Sequence, residues 1–221
     1  MSNQEFFYEF DILYNSITSN QAPGLNAYEK SVLLTDVQED VVQELYSGAL
    51  TGESFENTEK LRRCLDTLIK TDYPKLSKAE NKGISTKSYF YNLNDDVLFI
   101  TYESVDIDKG SECGTSTVEV VPVKQDEWHK IKNNPFKRPN KHRVVRLDSN
   151  DRTLELISEY PISNYLIRYI RKPRPIVIGS LEPGLTVNGV SVNTECELNP
   201  VLHRIILKRA VALASSIYKQ G

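Results

Sequence analysis

Three observations predict an α+β fold. Apolar residues recur at spacings of three and four through the first third of the chain. The spacing changes to two from Ser85 onward, and an amphipathic helix from Val201 to Tyr218 follows at the end. The predicted architecture is N-terminal helices, a central antiparallel β-sheet or sandwich, and a C-terminal amphipathic helix. Residues 1–75 make the N-terminal helical region. Residues 76–221 make the antiparallel β region closed by the final helix, and the whole is expected to be one compact unit.

The first helix spans Glu5 to Asn15, with Phe6, Phe7, Phe10, Leu13 and Tyr14 at helical spacing. Asn20-Gln21-Ala22-Pro23-Gly24 predicts a turn. A short helix starts at Asn26, with Glu29 at the capping-box position. Thr35-Asp36-Val37-Gln38 has the same form and predicts a new helix to about Tyr46, with Val37, Val41, Val42 and Leu45 on its apolar face. Gly48 and Gly52 bound a loop. A third helix runs from about Thr58 to Lys70 and buries Leu61, Cys64, Leu65, Leu68 and Ile69.

Ser88–Leu93, Val97–Ile107 and Thr115–Val123 alternate and are rich in Tyr, Phe, Ile and Val, which predicts strands. Asn94-Asp95 and Asp108–Ser111 are turns between them. Asp126–Asn133 predicts a helical turn carrying Trp128, and Pro135, Pro139 and Asn140 mark a long loop. Arg143–Leu147 and Thr153–Ser158 predict a hairpin. Asn164–Arg171 and Ile176–Ile178 are further strands, and Asn188-Gly189 is a turn.

Pro200 suits the first position of the closing helix, and Asn199 suits its cap. On the helical wheel Leu202, Ile206, Leu207, Ala210, Val211, Leu213, Ala214, Ile217 and Tyr218 share one arc. Arg204, Lys208, Arg209, Ser215, Ser216 and Lys219 share the other. His203 falls in the apolar arc and is expected at the core edge with a satisfied ring nitrogen. Ile205 falls among the charges, either as an exposed aliphatic or as a contact to another subunit.

The chain has 221 residues, 39% hydrophobic and 26% charged, as in ordinary globular proteins. No window reaches the length of a membrane span. Met1–Phe10 carries Glu5 and Glu9 and no basic residue, unlike a signal peptide. Cys64, Cys113 and Cys196 are scattered, which argues against zinc and against a disulfide framework. No P-loop, G-x-G-x-x-G, H-E-x-x-H or G-x-S-x-G occurs, so no catalytic, cofactor or metal residues are assigned. Asp106, Asp108 and Glu112 lack the spacing of a calcium loop.

Charge is unevenly distributed. Residues 1–60 hold 11 acidic and 2 basic residues, a balance of −9, and residues 137–174 hold 10 basic and 4 acidic, a balance of +6. Such blocks suit either self-complementary assembly or a nucleic-acid surface beside an acidic region. Tyr165 and Tyr169 interleave with the cations of 165–174. They could stack bases, but alternation also places Tyr165, Ile167, Tyr169 and Arg171 on one strand face and Leu166, Arg168 and Ile170 on the other, and core packing explains the tyrosines equally well.

The run SITSNQAPGLNAYEKSVLLTDVQEDVVQELYSG resembles virion structural proteins of crAss-like tailed phages. So do Trp128 through Asn134-Pro135-Phe136 to Val145-Arg146-Leu147, Tyr169–Pro173, and the CEL…NPVLHRIILKRAVALA ending. The resemblance implies a non-enzymatic neck or tail subunit, made in the bacterial host cytoplasm and located in the virion. It also implies a homo-oligomeric ring, most often of twelve copies, between portal and tail. Its partners would be itself, the portal and other ring proteins, with no membrane partner, and the basic middle would allow transient contact with DNA. The alternative is a nucleic-acid-binding accessory protein. The expected subunit interface brings Glu39, Asp40 and Glu44 near Arg143, Arg168 or Arg171 of a neighbour. Separately, Tyr28 and Leu33 are expected to dock against a neighbouring subunit or ring, and Ile205 is a further candidate contact.

Overall fold

A computed structural model describes residues 1–18, 22–49, 59–77, 83–110, 114–150 and 152–220. Asn20, Gln21, Gly52, Thr58, Ser111, Glu112 and Cys113, invoked above, lie outside the described residues, as does Asp151 in the expected hairpin turn. The fold is α+β. In chain order it contains helices α1 (Asn3–Thr18), α2 (Ala27–Ser47) and α3 (Glu59–Leu65), then strands β1 (Ile69–Asp72), β2 (Lys75–Leu76), β3 (Ser88–Asn92), β4 (Val97–Asp108) and β5 (Thr115–Pro122). Helix α4 (Trp128–Lys132), strands β6 (Arg143–Asn150), β7 (Thr153–Ile157) and β8 (Ile162–Arg171), and helix α5 (Pro200–Gln220) complete it.

The chain divides into two compact units, Met1–Leu68 with Lys172–Gly221, and Ile69–Arg171. This differs from the expected split at residue 75. The closing helix belongs with the N-terminal helices, and the strands are one continuous insertion between them.

In the helical unit, α2 is a single helix. The capping box at Asn26 forms in both directions, at 2.8 Å each way with Glu29. The expected second start at Thr35 is corrected, because Thr35 and Gln38 are buried in mid-helix. Their polar groups turn instead to the extended segment 174–178. Gln38 donates to the Arg174 carbonyl at 2.8 Å, the Thr35 hydroxyl accepts from the Ile176 N–H at 3.0 Å, and Ser31 accepts from the Ile178 N–H at 2.9 Å. Ser31, Thr35 and Gln38 stand at i, i+4 and i+7, one face of the helix. They satisfy a backbone that would otherwise be buried without partners. Ile176–Ile178 is therefore not the ladder strand expected; it makes only a bridge from Val177 to Thr194. Gly48 ends α2 at φ 76, the left-handed cap that glycine adopts at least cost.

Phe6, Phe10 and Tyr14 of α1 are buried, as are Leu202, Ile206, Leu207, Ala210 and Val211 of α5. Lys30 of α2 is only 1% exposed. Its ammonium sits 2.7 Å from Asp11 and 3.6 Å from the centre of the Phe7 ring, so the buried charge has both an ion-pair and a cation–π partner. His203 donates from Nε2 to the Leu198 carbonyl at 2.8 Å, which makes that nitrogen the protonated one. This is the satisfied core-edge histidine expected. The third helix ends at Leu65, earlier than predicted, and passes through a 3-10 turn, Asp66–Leu68, into β1. Leu213 corrects the wheel. It is 38% exposed, with Ile217 and Tyr218 also exposed, whereas Ala214 and Ser215, the latter expected on the polar side, are buried. The covered stripe runs through 206–207, 210–211 and 214–215, and Leu213 lies outside it.

The strand unit is one eight-stranded sheet in the order β1-β8-β4-β5-β6-β7-β3-β2. All pairs are antiparallel except β5–β6, which is parallel and corrects the all-antiparallel expectation. A parallel pair needs a crossover, and residues 123–142, carrying α4, supply it. Tyr91 of β3 and Tyr165 of β8 lie five strand positions apart in that order, yet their ring centroids are 5.0 Å apart. Five spacings of a flat sheet would separate them by about 24 Å, so the sheet coils over its own inner face. Three register shifts between β4 and β8 fit that curvature. The inner core includes Tyr91, Val105, Ile107, Val144, Leu156, Tyr165 and Ile167. On the outer face Trp128 of α4 packs with Val145, Leu147 and Ile157.

Candidate assembly surfaces

The acidic residues expected at an interface have divergent local settings. Glu39 lies 3.2 Å from the Lys172 ammonium and accepts from Asn188 at 3.0 Å, and Glu44 lies 2.7 Å from Arg209. Asp40 is exposed and has no cationic partner among the described residues. The exposed Asp36 carboxyl one turn before it is pushed above its ordinary range, first by partial burial and then by Glu39 and Asp40. Leu33, Asp36 and Asp40 are spaced i, i+3 and i+7, so they form one row on the outer face of α2. Leu33 and Tyr28 are half-buried.

The basic residues also separate. Arg143 lies 3.2 Å from Glu119 and donates to the Phe136 carbonyl at 3.3 Å. Arg146 is half-buried and pairs with Glu103 and, at 3.2 Å, with Asp148; the other Glu103 oxygen accepts from the Tyr165 hydroxyl at 2.7 Å. Burial pushes the Glu103 carboxyl up, with Arg146 and Tyr165 opposing. Arg168 is exposed, and its guanidinium has no partner among the described residues; Arg171, at the end of β8, is half-buried. Tyr165 and Tyr169 are both buried, and Tyr169 donates to Asp96 at 3.0 Å. Neither ring is available to stack a base. Ile205 is half-buried.

The crossover between β5 and β6 presents features that the sequence reading passed over. Phe136 is 87% exposed, more than any other large apolar side chain described. Beside it, a cleft of about 270 Å³ is lined by Ile84, Lys87, Trp128, Lys132, Arg138 and Glu159. A signal existed in the cations at 130, 132, 137, 138 and 141 around a lone Phe.

Among the described residues no group of His, Cys, Asp and Glu is placed to hold a metal, and no helix is long and apolar enough to cross a membrane. Burial raises the Cys64 and Cys196 thiols, the latter to about 11.

Against known proteins, a family model described as phage tail ring protein 3/4 matches residues 1–221. Ring protein 3 of Bacteroides phage crAss001 is 46% identical over 220 residues, covering 97% of this chain and 95% of that protein. Ring protein 4/5 of the same phage is 37% identical over 230 residues, covering 99% and 94%. Matches of that extent define the class, the structural ring proteins of phage virions. Within it, the chain belongs to the phage tail ring protein 3/4 family.

Proposed function

We propose that this chain is a non-enzymatic subunit of a closed homo-oligomeric ring in the phage neck or tail. The ring stacks between portal and tail and meets the portal or other ring proteins on its two faces. Twelve copies is the expected number. A ring of identical subunits needs two different patches that fit each other. The observation that carries this reading is a set of exposed charges of opposite sign that have no ion-pair partner among the described residues: Asp36 and Asp40 on one face of α2, and Arg168, Lys137 and Arg138 in the strand unit. Head-to-tail contact between neighbours would pair them, with Tyr28 and Leu33 supplying apolar area.

Glu39, Glu44 and Arg143 already hold partners within the subunit, so their share in the interface is to orient it. Arg171 and Ile205 would lie at its margin. Burial of Tyr165 and Tyr169 weighs against the nucleic-acid alternative. Reconstruction of the intact particle tests the proposal: a ring of this chain in the neck or tail is expected, and its absence there contradicts it.

A further inference from the structure

Phe136 is exposed without being loose. Its N–H donates to the Asn134 side chain at 2.9 Å, and its carbonyl accepts from Arg143. The Lys137 and Arg138 N–H groups both return to the Asn134 carbonyl, at 3.1 and 2.9 Å. The loop is thus a fixed turn holding an aromatic ring in solvent, with Lys137 and Arg138 directly after it. Neither cation has a carboxylate partner among the described residues. With the backbone held, docking costs mainly the two side-chain torsions of Phe136, and a large aromatic on a held turn suits an interface anchor.

We propose that Phe136 is the anchor of the head-to-tail contact, seated against Leu33 on α2 of a second copy of this chain, with Lys137 and Arg138 meeting Asp36 and Asp40 there. The inference rests on the ring reading above. The match is one of chemistry and sign. Leu33, Asp36 and Asp40 share one helix face, a half-buried apolar residue beside two exposed acids, and the turn at 134–138 presents an exposed aromatic beside two exposed cations. Unlike charges at the rim set register and direction, and the aromatic sets affinity. A knob on one surface and its seat on another give a heterologous contact, the type that closes into rings.

The test uses the full-length chain in assembling particles. Phe136→Asp should unfold at the same temperature as the unsubstituted chain, because the ring is solvent-exposed, yet its recovery in particles should fall by about tenfold or more. Phe136→Leu should retain most recovery. Reversing the cations, with Lys137→Glu and Arg138→Glu together, should abolish incorporation. Adding Asp36→Lys and Asp40→Lys on the same chain should restore it, since every subunit carries both surfaces. Normal incorporation of Phe136→Asp, or failure of the acid reversal to rescue, would overturn the inference. So would loss of packaged DNA with incorporation unchanged, which would assign the face to nucleic acid. The ring reading itself is judged separately, by whether the unsubstituted chain occupies a ring in those particles.

Discussion

Arg209 Nη1 of α5 sits 2.7 Å from Glu44 Oε2 of α2, tying the last helix of the chain to the second. Glu44 is thereby engaged inside its own subunit. Both side chains are more than a third exposed, so solvent screens the pair. A double-mutant cycle with Arg209→Ala and Glu44→Ala should give a coupling of about 0.2–1 kcal/mol, decreasing with salt. A coupling above this range would mean the pair is more desolvated than its exposure indicates.

Helix α5 makes a graded prediction along its length. Ile206 is fully buried, and Ile206→Ala should cost about 2–5 kcal/mol. Leu213 lies on the same nominal arc but is 38% exposed, so Leu213→Ala should cost only about 0.5 kcal/mol. Ile205→Ala should fall between them. Thermal unfolding of the three variants checks the order, and equal costs at 206 and 213 would contradict it.

Glu103 and Arg146 form an ion pair within the sheet unit, with relative side-chain exposures of 7% and 13%. Arg146→Ala would leave a buried carboxylate without its counterion and should cost about 3–5 kcal/mol. Replacing both, with Arg146→Met and Glu103→Gln, should cost less, because no charge is left buried and the amide oxygen can still accept from the Tyr165 hydroxyl. Denaturant titration of the single and double variants distinguishes a charge effect from a packing effect.

Stability should fall on mild acidification because of His203. Burial holds its imidazole below the ordinary histidine range, and the Leu198 carbonyl opposes this only in part. The unfolded state therefore takes up a proton before the folded state does. The contribution is fully present above the unfolded value near 6.5 and is lost as pH falls through the lowered folded value, at up to about 1.4 kcal/mol per pH unit. His203→Gln should flatten that part of the stability profile. An unchanged slope would assign it to other groups.

The elements legible in the sequence were those with a strong single period. These include α1, the cap at Asn26, the long strands β4 and β8, and α5 through Val211. Alternation correctly placed Tyr165, Ile167 and Tyr169 on one buried face. The failures have particular causes. Thr35-Asp36-Val37-Gln38 has the residues of a capping box, but its Thr and Gln hold segment 174–178 instead. Their spacing with Ser31 was the clue to a buried polar stripe. Strands β1 and β2 are too short to show alternation. The parallel β5–β6 pair was hidden because its crossover resembles a loop, although its length already exceeds a hairpin connection. Leu213 failed because the apolar arc is wider than the covered stripe: Ala214 and Ser215 beside it are buried, and Leu213 sits at the edge of the arc. Phe136 was missed as an exposed residue, although the cations at 130, 132, 137, 138 and 141 around it hinted at a solvated crossover.

The central claim is that the chain closes into a ring through unlike surfaces of adjacent copies. Reconstruction of the neck and tail of the intact virion, at a resolution that shows side chains, tests it most directly. The account predicts a closed ring of this chain between portal and tail, with Phe136 of each copy against Leu33 of the next and Asp36 and Asp40 facing cations. A map with this chain absent from the neck and tail, or with α2 and the 133–140 loop both facing open solvent in the ring, would contradict it.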